Sequence, residues 1–166
     1  RKYVFRPISV VSHDYQKGAL LLAKQAGVSR IAVIGAENQF TRQVSMGAMG
    51  WAKKLGLEVV LLENYRAVDT DFTDLIKRIG ASGAEAVFMN GLYSDSVQQI
   101  RHLQEQNIDL KILSSAMGTA TPEFTDDLGL LAEYVLGFSQ WQPNPAQGFQ
   151  GVRDFIERYQ NKYGAL

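Results

Sequence analysis

The sequence predicts a doubly wound α/β fold, a mostly parallel sheet of about five strands with helices on both faces. Three observations predict it. Short β-branched runs alternate with helical patterns, which implies right-handed crossovers between parallel strands. The runs are nearly continuous in apolar residues, as strands covered on both faces are. Glycines punctuate the helix-to-strand returns, at Gly56, Gly80 and Gly83.

In order, the first helix runs over 14–26, with Tyr15, Ala19, Leu22 and Ala26 on one face and Gly27 as the glycine that ends it. RIAVIG (30–35) is the first strand. Val44, Ala48, Trp51 and Leu55 then recur at helical spacing before the second strand, LEVVLLE (57–63). Phe72, Leu75, Ile76 and Ile79 mark the next helix and AEAVFMNG (84–91) the third strand. Val97, Ile100 and Leu103 mark another helix, followed by strands LKILSS (110–115) and EYVLGFSQ (133–140). The proline-bearing linker QWQPNPAQ (140–147) is the best domain boundary. Beyond it a last helix over 148–163 carries Phe149, Val152, Ile156, Tyr159 and Tyr163 on one stripe.

With 166 residues, 46% of them apolar, the chain fits one domain with a sizeable core. Seventeen lysines and arginines balance 17 aspartates and glutamates, so no net field draws nucleic acid or an anionic membrane, and no basic run is visible. The absence of cysteine excludes disulfides, thiolate metal sites and cysteine nucleophiles. The apolar runs fall far short of the roughly 20 residues that span a bilayer, so a soluble protein is expected. The chain starts RKYVFRP, without an initiator methionine or a signal-peptide core, as a processed protein or a piece of a longer one would.

Ligands of an open parallel sheet bind beyond the carboxyl ends of the strands. The loops there, 36–41, 92–95 and 116–121, define the expected site. The stretch VIGAENQFTRQ (33–43) supplies only Gly35 where a dinucleotide fingerprint needs three glycines, and it lacks the Gly-Lys-Ser/Thr of a phosphate loop. Thr41 reads as the cap of the following helix, and Phe40 as either a hydrophobic staple or a pocket wall. His13 and His102 are the only histidines, His102 reads as a surface side chain, and no nucleophile elbow appears; no catalytic residue, enzyme activity, cofactor or metal is expected. Asp69, Asp71 and Asp74 read as loop and helix-start residues.

The strings YVFRP (3–7), YQKGALLLAKQAG (15–27), SRIAVIGAENQF (29–40), DTDFTDLI (69–76) and AEYVLGFSQWQPN (132–144) together resemble the second lobe of type I periplasmic binding proteins. The nearest branch is the leucine/isoleucine/valine-binding receptors of amino-acid ABC transporters. Phe5 with Arg6, the segment 69–76 and the EYVLGF return are the most specific matches, and the likeness runs through essentially the whole chain in order.

The resemblance implies two lobes joined by crossing strands, closing on a small ligand. It places residues 1–10 in a hinge crossing, 11–140 in the ligand-binding lobe, and 141–166 in the second hinge and the start of a return helix. Arg6, Pro7, Gln140 and Trp141 become hinge residues. Asn38, Gln39 and Phe40 would face the ligand, with Phe40 and Thr41 where relatives have tyrosine and glycine. Ala116 or Met117 stands where amino-acid-binding relatives offer a carboxylate to the ligand's ammonium. A buried ammonium without a partner costs several kcal/mol, which argues against an ordinary α-amino acid unless Asp95 or Glu37 substitutes. Phe40, Met117 and Tyr93 beside Asn90, Ser94 and Ser115 would suit a partly apolar or aromatic molecule with a few hydrogen-bonding groups.

The function implied is a periplasmic or extracellular solute-binding component of a bacterial ABC importer, soluble or lipid-anchored, which binds a small polar or partly aromatic metabolite, amino-acid-related or not, by lobe closure and meets an ABC permease through the full-length receptor. A ligand-sensing lobe of a receptor or transcription regulator is the alternative. The last helix should not stay bare, because each side chain of its stripe is worth roughly 1.5–3 kcal/mol if buried. It is expected to fold back on this lobe or to dock on a second copy as a homodimer.

Overall fold

The computed structural model describes residues 10–66, 69, 71–140 and 151–164. The expected hinge residues Arg6, Pro7 and Trp141, most of the linker, and Phe149 lie outside the described residues.

A five-stranded sheet forms in the order β2-β1-β3-β4-β5, from β1 (Arg30–Ala36), β2 (Glu58–Tyr65), β3 (Ala86–Asn90), β4 (Ile112–Ser115) and β5 (Val135–Gly137). Every neighbouring pair is parallel. Helices α1 (Lys17–Gln25) and α2 (Gln39–Leu55) cover one face, where Leu20, Ala23, Ala48 and Ala52 meet Ile31, Val33, Ala86, Phe88 and Ile112. Helices α3 (Thr73–Ser82), α4 (Tyr93–Glu105) and α5 (Pro122–Leu128) cover the other, where Ile76, Ile79, Val97, Ile100 and Phe124 meet Ala32, Ile34, Ala36, Val87 and Met89. The faces alternate residue by residue along β1 and β3, and both are buried, so these strands read as continuous apolar runs. All of Phe72, Leu75, Ile76, Ile79, Val97, Ile100 and Leu103 are buried, as their spacing predicts.

Several expectations need correction. The first helix is preceded by a 3-10 turn, Ser12–Asp14, and buries Gln16, Leu20 and Ala23, whereas Leu22 and Ala26 are exposed. The inward face is polar at its start because Gln16 is hydrogen-bonded to the carboxyl ends of β3 and β4, partners that apolar spacing cannot reveal. Helix α5 is an addition; Pro122 opens it and Glu123 sits in its first turn, which the helix dipole favours. Gly56 ends α2 at φ 67°, but Gly80 lies inside α3 against Ile108.

The sheet's two edges differ. Between Ile31 and Ala32 the register of β1 with β2 slips, leaving Val60 opposite no residue, while β5 is only three residues long. Helix α6 (Val152–Tyr163) has no buried residue. Its stripe is therefore not folded back among the described residues: Val152 and Ile156 are half-buried, while Tyr159 and Tyr163 are exposed with ring centroids 4.7 Å apart.

At the amino end of the sheet, Glu85 joins the starts of three strands. Its carboxylate takes Lys111 Nζ at 2.7 Å, Ser29 N–H at 2.9 Å, Ser29 Oγ at 2.8 Å and Arg30 N–H at 3.0 Å. The lysine hydrogen bond first, then the serine and arginine donors, hold its pKa well below the usual carboxylate range. A depressed folded pKa contributes stability above the unfolded value and loses it as the pH falls through the folded value. The urea midpoint of Glu85→Gln should therefore lie below that of the parent at neutral pH, and the gap should begin to close below roughly pH 5. A gap independent of pH would refute this account.

Candidate functional site

The chain leaves β1 toward β2 and returns on the other side as β3, with α2 and α3 on opposite faces. The strand order thus reverses between β1 and β3, and a crevice opens beyond their carboxyl ends. The loop after Ala36 forms one lip. Asn38, not Thr41, caps α2: its Oδ1 accepts the Thr41 N–H at 3.0 Å. Thr41 lies inside the first turn, where its hydroxyl donates to the carbonyl of Ala36. Two cap-competent residues three apart suit either assignment in sequence, and the earlier helix start decides between them.

Phe40 resolves into a packed wall. Its ring meets Tyr15 edge-on at 5.5 Å, and Tyr15 lies 4.2 Å from Phe138, just beyond β5. Gln140 donates Nε2 to the Tyr15 hydroxyl at 2.8 Å. A hollow of about 410 Å³ borders this wall, lined by Val10, Val11, Ser12, His13, Tyr15, Phe40 and Gln43. Tyr15 and Phe138 are site candidates that reading along the sequence misses, because only the fold joins the two ends of the chain. Gln39 is exposed beside them.

Below the crevice runs a buried neutral network. Asn90, at the end of β3, accepts Gln16 Nε2 on Oδ1 at 2.8 Å and donates Nδ2 to Ser45 Oγ at 3.0 Å. Ser114 Oγ donates to Gln16 Oε1 at 2.7 Å. Asn90 is thus 1% exposed and forms the floor, not a free contact.

The second lip is the start of α4 with the loop after β4. Tyr93 donates its hydroxyl to Asp127 Oδ2 at 2.5 Å, and this bond, with burial adding to it, pushes its pKa up to about 12. The turn at Gly118 lies directly on the Tyr93 ring, which brings half-buried Met117 beside it. Ser115 is buried and shares a hydrogen bond of 2.7 Å with Ser96 Oγ. Ser94 is exposed and donates to Asp95 Oδ1 at 3.2 Å. The structure thus collects Tyr93, Ser94 and Met117 on one lip and Asn38, Gln39 and Phe40 on the other, while Ser115, fully buried, lies beneath the second lip as Asn90 lies in the floor.

Carboxylates near the crevice are mostly engaged. Asp95 Oδ2 accepts the Tyr65 hydroxyl at 2.9 Å and the Leu92 N–H at 3.1 Å. Burial first, and the charge of Asp95 second, raise the Tyr65 pKa far above its ordinary value, so this phenol stays a donor. Glu37 is exposed on the first lip. His102, expected at the surface, is half-buried; its Nδ1 accepts the Phe72 N–H at 3.3 Å, which makes it a tie between α3 and α4. Asp71 accepts the Thr73 N–H at 2.9 Å and Asp74 lies in the first turn of α3, as expected of helix-start acids.

Comparison with known proteins agrees with this fold. The model of a family described as periplasmic binding protein matches residues 1–166. The Leu/Ile/Val-binding protein homolog 7 of Brucella suis is 28% identical over 159 residues, which is 93% of this chain and 40% of that protein. An amino acid binding protein of Pseudomonas aeruginosa is 30% identical over 128 residues, 77% of this chain and 32% of that protein. Among solved structures, the amino acid ABC transporter substrate-binding protein of Pseudomonas fluorescens Pf-5 superposes with a TM-score of 0.76 at 19% identity, over 94% of this chain and 42% of that one. The chain thus spans less than half the length of the relatives it matches. A matching family model over its whole length leads to one conclusion: the chain belongs to the periplasmic binding protein family.

Proposed function

We propose that residues 11–140 are one lobe of an extracytoplasmic solute receptor that serves an ABC importer, with 1–10 and 141–166 as the crossings to a second lobe. The ligand is a small, partly apolar or aromatic molecule held at the crevice and enclosed when the lobes close. One observation carries the ligand class: the lips are built from Phe40, Tyr15 and Tyr93 with Met117, while Asp95 and Asp127 are taken by Tyr65 and Tyr93. Such a rim offers stacking and hydrogen bonds, with exposed Glu37, solvated at the outer end of the first lip, as the remaining carboxylate for an ammonium. In this reading Gln140 reports hinge position through Tyr15, and the α6 stripe docks on the second lobe or on a second copy.

Calorimetry on the intact receptor tests the proposal, with aromatic and aliphatic acids titrated beside branched-chain amino acids. Tighter binding of an aromatic or apolar acid is expected. Leucine as the tightest ligand of the parent protein would overturn the ligand class. Met117→Glu should add a carboxylate beside Tyr93 and strengthen leucine binding at least about tenfold, because a charge-assisted hydrogen bond replaces a thioether. An unchanged leucine affinity in that variant would place Met117 off the ligand.

A further inference from the structure

We infer that the outer surface of the α1/α2 layer docks an acidic segment of a partner protein. The balanced net charge hides a strong segregation. Helices α1 and α2 carry Lys17, Lys24, Arg42, Lys53 and Lys54 and no carboxylate at all, whereas α3, α4 and α5 carry six carboxylates against three lysines and arginines. Ion pairs elsewhere in the described residues join Arg66 to Asp69, Lys77 to Asp74, Arg78 to Glu63 and Lys111 to Glu85; none involves a cation of α1 or α2.

Two of the lysines flank one aromatic ring. Lys17 Nζ lies 4.6 Å and Lys54 Nζ 4.5 Å from the Trp51 ring centroid, and the indole N–H donates to Asp14 Oδ1 at 2.9 Å. Lys24 ends α1, and Lys53 and Lys54 end α2, so the helix dipoles favour them. Each helix end supplies only about half a negative charge, however, so with Asp14 it offsets only part of the four lysines. The excess is a positive field that none of the ion pairs among the described residues takes up.

The shape of the neighbouring surface selects a protein over a membrane. Lys17 and Asp14 border an apolar groove of about 550 Å³ between α1 and β5, with Leu21, Leu22, Leu136 and Phe138 in its lining. Leu21 and Leu22 are 38% and 44% exposed. A concave apolar slot beside fixed cations accepts a projecting side chain whose flanking residues are acidic, whereas a bilayer presents a plane that cannot enter it. This inference does not depend on the identity of the solute.

The test is fluorescence anisotropy with a labelled synthetic peptide of glutamates interrupted by leucines, at low and at physiological salt. The variant K17Q/K24Q/K53Q/K54Q should bind at least about tenfold more weakly at low salt. R66Q/K77Q/R153Q/R158Q, which removes as many cations elsewhere, should bind as the parent does. Leu22→Ser should weaken the leucine-bearing peptide and leave an all-glutamate peptide unaffected. The milder K24Q/K53Q gives an intermediate loss that reads the same surface if the fourfold variant does not fold. Equal weakening by both fourfold variants would overturn the inference. So would tighter binding to phosphatidylglycerol vesicles than to the peptide, or low-salt self-association abolished by K17Q/K24Q/K53Q/K54Q, which would assign the surface to a lipid or to a second copy.

Discussion

Gly47→Ala should destabilise the protein by about 1–3 kcal/mol, the usual range for forcing extra volume into a packed site. Gly47 lies in the middle of α2, where alanine would ordinarily gain up to about 1 kcal/mol in helix propensity. Here a methyl group would overlap the backbone of His13, in the 3-10 turn that leads to Tyr15 and Gln16. Backbone has no rotamer by which to yield, so the turn itself must move. Gly50, one turn later, has nothing near its missing side chain, and Gly50→Ala should stabilise the same helix by roughly 0.5–1 kcal/mol. Urea unfolding of the two variants gives opposite signs if the close approach of α2 to the turn is real, and two gains if it is not. Because Tyr15 leaves the same turn, Gly47→Ala should also loosen the wall that Tyr15 builds with Phe40 and Phe138.

Gln16→Met should cost roughly 3 kcal/mol, since two buried groups lose their partner and each unsatisfied group costs about 1–3 kcal/mol. The groups are Asn90 Oδ1 and Ser114 Oγ, both bonded to the Gln16 amide. Methionine matches glutamine in volume, so the loss isolates polarity from packing. Adding Ser114→Ala removes one stranded hydroxyl and should restore about 1 kcal/mol, which makes the pair less than additive in urea unfolding. Fully additive losses would mean that Gln16 and Ser114 act independently.

The same residue explains what the sequence could and could not convey. Apolar spacing locates the buried apolar residues of α3 and α4, whereas the buried Asp95, Ser96 and Gln99 of α4 escape it because they are polar. It misplaces the inward face of α1, where the decisive contact is a glutamine whose partners lie in β3 and β4. Helix α5 escapes because seven residues are too few to show a period, although Pro122 and Glu123 mark its start. Of the crevice, Phe40, Tyr93 and Met117 are legible from the loops that follow the strands. Tyr15 and Phe138 become visible only once the fold brings the beginning and end of the lobe together. Charge segregation is likewise invisible in a linear scan, since the lysines of α1 and α2 are scattered singly or in pairs.

The irregular edge at β2 bears on how such a lobe survives while unfolded neighbours surround it. A long, straight outer strand offers its free amides and carbonyls to any passing chain and seeds aggregates. Here the slip at Val60 bends that strand, and the Glu63 carboxylate on it is held at 2.6 Å by Arg78. At the opposite side β5 is too short to template a second strand. Both borders of the sheet are thereby poor substrates for intermolecular pairing, so the lobe can carry a parallel sheet, which forms slowly from distant segments, with little risk of polymerising through its edges.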